Sequence, residues 1–223
     1  MAKEEKLTKQ IMELRRVFGF FGYLLVFWGC YRLIFKLPDE VEELFLKPIF
    51  WLLPTFWLVL FKERRKLSSI GWTGKNFFSG VYWGLGLGMI FAIEGILANV
   101  AKYGQISFAS MPLTGMDFLG ALGLSMATAV SEETVFRGYI LSRLSEAWRG
   151  WITPITVTSL LFVLIHLPVT VFVLHYDLAQ TLSYFLLLFL FSIGSSWIYL
   201  RLRTIVPSII LHSLWGWSIL LFR

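Results

Sequence analysis

Seven apolar stretches, each close to the length that crosses a hydrocarbon core as a helix, constrain this chain more than any other feature. They are Val17 to Phe35, Leu44 to Phe61, Phe77 to Val100, Phe118 to Leu144, Trp151 to Leu167, Thr181 to Leu200 and Ile205 to Phe222. A crossing helix needs about 20 apolar residues, and the backbone must bond to itself once water is absent. The expected fold is therefore all-α, a polytopic transmembrane helix bundle. Pro168 to His175 is apolar enough to extend the fifth stretch or add a short re-entrant piece, so seven to eight membrane segments are expected.

Composition agrees with a lipid solvent. Of 223 residues, 57% are hydrophobic and only 15% charged, where a soluble domain carries about 25% charged residues. The net charge of +6 would point to nucleic acid in a soluble chain. Here the cations stand at the ends of apolar stretches, where they face lipid headgroups, and nucleic acid is set aside as a partner. Residues 1–16 read as a charged cytoplasmic segment and 17–223 as one transmembrane domain. No small-residue cleavage site follows the first apolar stretch, which is expected to be retained as a span. The lone Cys30 leaves no intramolecular disulfide and no cysteine metal cluster.

Orientation follows from the bias of Lys and Arg towards the cytoplasm. One set of segment ends carries Lys3, Lys6, Lys9, Arg15, Arg16, Lys62, Arg64, Arg65, Lys66, Lys75, Arg143, Arg149, Arg201 and Arg203. The other carries only Lys36, Lys47, Lys102 and Arg223, beside an acidic loop with Asp39, Glu40, Glu42 and Glu43. This puts the N-terminus in the cytoplasm. Lys47 is expected to snorkel to the interface and Pro54 to kink the second span. Gly80, Gly84 and Gly88 recur every four residues and predict close packing of another helix.

Three carboxylates fall inside the stretches: Glu94, Glu132 and Glu133. A carboxylate at mid-membrane costs about 3 kcal/mol even on lenient scales, so each needs a partner, water or a proton. Four residues of helix bring Glu133 and Arg137 onto one face, where the guanidinium can hold the carboxylate ionised. Glu132 lies about 100° around the helix and is left free for other work. Taken alone, such a segment also reads as a buried ion pair fixing helix register. Two of the three histidines, His166 and His212, also lie in apolar stretches, while His175 is in a loop. Counting back from the turn at Arg149 and Gly150, Glu132 and His166 return to similar depth at 1.5 Å per residue, as a shared site requires.

The ordered set Glu132, Glu133 and Arg137, then Phe162 to Pro168 containing His166, then Arg203, Thr204 and His212, resembles the CPBP family of intramembrane proteases. That family includes the type II CAAX prenyl endopeptidases. The resemblance covers about 121–217, with a protease-like core at about 118–217. It implies an enzyme of the peptidase class that hydrolyses a peptide bond in a cavity open to the cytoplasmic side, with a peptide or prenylated CAAX-type protein as substrate and the lipid bilayer as setting. By the same resemblance Glu132 is the base that activates water, His166 helps hold that water, Glu133 and Arg137 orient the site, and His212 stabilises the oxyanion.

In one respect the chain departs from the family. Where the family commonly has an asparagine four positions after the last histidine, this chain has Gly216. Ser208, Trp215 and Trp217 are the candidate replacements for its donor. No cofactor is expected as first choice; Glu132, His166 and His212 are the alternative zinc ligands, since two imidazoles and a carboxylate resemble a catalytic zinc set. A catalytically impaired member acting as a membrane scaffold or immunity-type binding protein is the rival reading, and a proton-coupled transporter using Glu94 ranks below it.

Overall fold

The computed structural model describes residues 2–35, 37–106 and 115–221. Lys36, Phe222 and Arg223, used above for charge or span ends, lie outside the described residues, as do the side chains of Lys3, Lys6, Lys9 and Lys102. Among the described residues seven long helical segments follow one another, with a short 3-10 turn at Leu67–Ile70 after the second and no strand. They are α1 (Ala2–Ile34), α2 (Asp39–Lys62), α3 (Phe77–Tyr103), α4 (115–147), α5 (Ile152–Phe172), α6 (Leu178–Leu202) and α7 (Val206–Leu221). The chain is a helical membrane bundle. Among the described residues, five helices are long and apolar enough to cross a bilayer: 10–34 of α1, then α2, 77–101 of α3, α5 and α6. The fourth stretch is diluted by Glu132, Glu133, Arg137 and Arg143, and α7 has only 16 residues.

Local chemistry explains several boundaries. The segment Pro168 to His175 joins α5 as its last turns, Leu167–Phe172, after a break at His166. Pro168 has no amide hydrogen and its ring crowds the preceding turn. The His166 amide accordingly bonds to Val163 O at 3.0 Å, a tightened turn. Pro54 is accommodated in a different way. It begins a short α turn, Leu53–Trp57, flanked by wide π turns at Pro48–Leu52 and Leu58–Lys62. α6 starts on a reciprocal cap, in which Asp177 Oδ1 accepts the Gln180 amide at 2.8 Å and Gln180 Oε1 accepts that of Asp177 at 3.1 Å.

The glycine ladder packs as expected. α3 lies against α7, and a Cβ added at Gly84 would stand 2.9 Å from Ile210 Cβ and 3.0 Å from the Pro207 backbone. One at Gly88 would stand 2.7 Å from Leu214 Cδ1. The opposite face of α3, with Phe78, Tyr82, Met89 and Leu97, is exposed to the surroundings of the bundle. The core is aromatic: Phe20, Phe21 and Trp28 of α1, Trp51 of α2, Phe136 and Tyr139 of α4, Phe162 of α5 and Phe191 of α6 form one buried cluster.

Three readings of charged residues need correction. Glu42 and Glu43 are not in an acidic loop; they belong to the first turns of α2 and are buried, Glu42 against Arg32 and the Tyr31 hydroxyl. Arg143 is not a turn cation; α4 runs on to Ala147, and Arg143 is buried with its guanidinium on Glu63 at 2.7 Å and Glu146 at 3.2 Å. Arg65, beyond the end of α2, joins this network through Glu146 at 2.6 Å and Glu13 at 3.1 Å. Burial works against its charge, but the hydrogen bond and charge of Glu146, with Glu63 and Glu13, outweigh that and raise its pKa. Lys47 does not snorkel; it is 4% exposed inside the bundle. Hydrophobicity alone predicts each of these side chains at a lipid interface, because it does not see partners on other helices.

Candidate active site

The site forms where α4 changes its winding. The α-helical part ends at Glu133, and Thr134–Leu141 winds as a π-helix. Wide turns of this kind often mark functional positions because they re-aim side chains. Every residue of the π stretch is buried.

Glu133 is fully enclosed and fully bonded. Its Oε1 accepts from Arg137 Nη1 at 2.9 Å and His212 Nδ1 at 2.7 Å, and its Oε2 accepts from the Ser195 hydroxyl at 2.8 Å. The spacing-based ion pair is thus present, and it is tied to α6 and α7 as well. Arg137 lies over the Phe162 ring, 4.4 Å from its centre. An ion pair at zero exposure holds only because these added bonds offset the loss of hydration.

Glu132 faces another way, as the helical rotation requires, but it is not free. Lys47 Nζ of α2 stands 2.7 Å from its Oε1 and 2.8 Å from Glu43 Oε1. Glu43 Oε2 in turn accepts the Thr128 hydroxyl at 2.7 Å. Lys47 was missed by sequence reasoning, and the available signal was a lysine inside an apolar stretch four residues after a glutamate.

The other oxygen of Glu132 has no hydrogen-bond partner among the described residues. It lies 3.9 Å from His166 Nε2 and 4.0 Å from His212 Nε2. Both rings are oriented from behind: His166 Nδ1 is 2.7 Å from the Phe162 carbonyl and His212 Nδ1 is 2.7 Å from the Glu133 carboxylate. Each of those oxygens can only accept, so each Nδ1 carries the hydrogen. In the neutral rings, both Nε2 lone pairs therefore face the free carboxylate oxygen of Glu132. The residues expected from three separate stretches meet at one point, enclosed by Phe162, Phe191 and Trp215.

The candidate replacements for the missing asparagine are engaged elsewhere. The Ser208 hydroxyl bonds the Ser195 carbonyl at 3.3 Å, the Trp215 indole bonds Glu94 Oε2 at 2.9 Å, and the Trp217 indole bonds the Phe118 carbonyl at 3.3 Å. At Gly216 a Cβ would come within 2.6 Å of the Ser125 hydroxyl, which itself bonds the Ser213 carbonyl at 2.9 Å. Ser125 occupies the room that a side chain there would need. Glu94 serves as the indole's acceptor at the rim of a cavity.

Zinc is the metal to be tested against this donor set. A tetrahedral ion with bonds near 2.0 to 2.1 Å needs donors about 3.3 Å apart, and these stand at 3.9 and 4.0 Å. The Lys47 ammonium on the same carboxylate also opposes a dication. Among the described residues no group of three or more His, Cys, Asp or Glu side chains is placed to hold a metal ion. The residues as arranged do not fit zinc.

Two cavities lie near the bundle ends. One of about 590 Å³ is lined by Glu94, Asn99, Tyr176, Gln180, Tyr184 and Trp215. Its Tyr184 wall packs on His166 and its Trp215 wall on His212, at ring separations of 6.2 Å each. The other, about 640 Å³, is at the basic end and lined by Glu13, Arg16, Glu63 and Arg65 among others. In comparison with known proteins, residues 114–218 fit the family model described as Type II CAAX prenyl endopeptidase Rce1-like. No curated protein and no solved structure matches the chain.

Proposed function

We propose, from the match of residues 114–218 to the type II CAAX prenyl endopeptidase family model, that this chain is a CPBP-type intramembrane endopeptidase that cleaves with water activated by Glu132. One observation carries the reading. The unpartnered Glu132 oxygen and two Nε2 atoms, 3.9 and 4.0 Å away, converge at a separation that a single water molecule can bridge. Such a water donates one hydrogen to Glu132 Oε2 and the other to His166 Nε2. Glu132 removes the first proton as the oxygen attacks the peptide carbonyl. His212, when protonated at Nε2, donates to the developing oxyanion while Glu133 faces the ring's charge through Nδ1, as a carboxylate does behind a triad histidine. The proton held by Glu132 then passes to the leaving amine.

The N-terminus and the basic ends are assigned to the cytoplasm, and the peptide reaches the site from that side. A prenylated CAAX-type C-terminus suits the surroundings, because the cavity of about 590 Å³ beyond His166 and His212, towards the end of the bundle away from the basic one, is mostly apolar-walled and can take a lipid tail that runs past the site. The mechanism uses no metal.

The test is cleavage of a prenylated CAAX peptide in proteoliposomes, read by mass of the released fragment. Glu132→Gln is expected to lower the rate by about 10³-fold, within the usual range for a general base, with unchanged melting in detergent. A chelator is expected to leave wild-type turnover intact, and restoration of chelated enzyme by zinc would overturn the metal-free step. Equal cleavage by wild type and Glu132→Gln sinks the glutamate mechanism. The rival scaffold reading draws on the Lys47 contact to Glu132 and the donor missing at Gly216, and it predicts binding of the peptide without turnover.

A further inference from the structure

Lys47 lies outside the matched segment 114–218, on a helix that reaches the site from the N-terminal half. Its surroundings are built as a rung between two helices. On α2, Glu43 and Lys47 are four residues apart, and on α4 so are Thr128 and Glu132. Residues at that spacing share a helix face. Across the contact, Thr128 donates to Glu43 at 2.7 Å and Lys47 to Glu132 at 2.7 Å, while Lys47 also closes back on Glu43 at 2.8 Å. The ammonium sits between the Trp28 and Trp51 rings, 6.0 and 5.5 Å from their centres. Two carboxylates and two aromatic faces thus surround it.

From this geometry we infer that Lys47 is a positioning residue for the proposed hydrolysis, clamping Oε1 of Glu132 so that Oε2 is presented to His166 and His212. The inference rests on the function proposed above. A carboxylate on a glutamate has three rotatable bonds, and a base must be held to within a fraction of an ångström of its proton. The backbone of α4 fixes the direction of Glu132 but not the rotation of its carboxylate. Lys47 supplies that constraint by bonding one oxygen and leaving the other unpartnered. It also places a positive charge beside Glu132, where Arg137 is committed to Glu133. Glu43, itself bonded by Thr128, holds the lysine in turn, so three side chains from two helices stand behind the placement of the Glu132 carboxylate. The matched segment therefore lacks one part of its own site, and α2 supplies it.

The purely structural alternative is that Lys47 only balances buried charge. Two chains in proteoliposomes separate the readings, with the prenylated CAAX peptide as probe. Lys47→Met alone leaves two carboxylates uncompensated and is expected to melt earlier. The paired change Lys47→Met with Glu43→Gln removes one charge of each sign, and its melting is expected to return to that of wild type. Its kcat is expected to stay about 100-fold down with KM within about twofold, while Lys47→Arg recovers to within about 10-fold of wild type. Wild-type kcat in the paired variant overturns the inference.

A second readout does not need turnover. The infrared carboxylate band assigned to Glu132 by its loss in Glu132→Gln is expected to shift or vanish in the paired variant. An unshifted band overturns the inference even if the peptide is never cleaved. Absence of Glu132-dependent cleavage in wild type, with that band shifted as expected, instead counts against the hydrolase proposal and leaves the clamp supported.

Discussion

At the residue scale, the pair Glu133 and Arg137 shows how far spacing carries. Four residues of helix put the two side chains in contact, and they are at 2.9 Å with no exposure. Spacing could not show that Glu133 also accepts from His212 and Ser195, which makes it the hub of three helices. Arg137→Ala would leave that carboxylate buried without its guanidinium, held only by His212 and Ser195. Removing one partner of such a pair costs about 3 to 5 kcal/mol, so the variant is expected to melt well below wild type in detergent. Arg137→Lys, with a single ammonium in place of the fork, should recover part of the loss. Glu132 is the counter-example. The sequence separates it from Arg137 by rotation and so suggests a free carboxylate, yet Lys47 binds it from a helix 85 residues earlier. A partner at that distance leaves no periodic trace.

At the scale of elements, helix identity was legible and helix detail was not. Long apolar runs announce spans because lipid forbids unbonded backbone. The extra length at helix ends, as in 39–43 and 144–147, carries carboxylates that ion pairs recruit, Glu42 and Glu43 inside the bundle and Glu146 at its surface, where hydropathy counts only solvent-facing charge. The glycines of α3 were readable by their period, and their tolerance should divide by face. Gly84→Val places atoms within 3.0 Å of the α7 backbone and is expected to cost about 1 to 3 kcal/mol as overpacking. Gly86 has nothing within 4 Å of an added Cβ, so Gly86→Ala should be neutral or stabilise by up to about 1 kcal/mol through the lower entropy of its unfolded chain. Thermal unfolding of both variants in one detergent checks the contrast.

At the scale of the molecule, α1 and α2 close the polar centre with the Phe20, Trp28 and Trp51 side chains and the Lys47 rung. The remaining helices carry the residues that sequence order revealed. The charge asymmetry of the ends predicts sidedness. On a Cys30→Ser background, which removes the lone cysteine, cysteines placed at Arg149 and Arg203 should react with a membrane-impermeant maleimide only from the cytoplasmic side. One placed at Ile106 should react only from the opposite side. Labelling of Arg149 and Ile106 positions from the same face would refute the assigned topology. The helical bundle, the order of the site residues and their return to one point could be read from the sequence. The clamp from α2 and the crowding of Gly216 by Ser125 could not, because both depend on which faces meet.

The π stretch after Glu133 sets a phase relation along α4. Each residue advances an α-helix by about 100°, and a π turn holds one more residue than the α turn it replaces. Deleting a single residue between Thr134 and Leu141 would let the stretch revert to ordinary winding at little cost in hydrophobicity. It would also swing Glu132 and Glu133 about a quarter turn relative to Arg143 and the ion pairs that anchor the helix end. A change in the length of that stretch therefore re-indexes the whole centre.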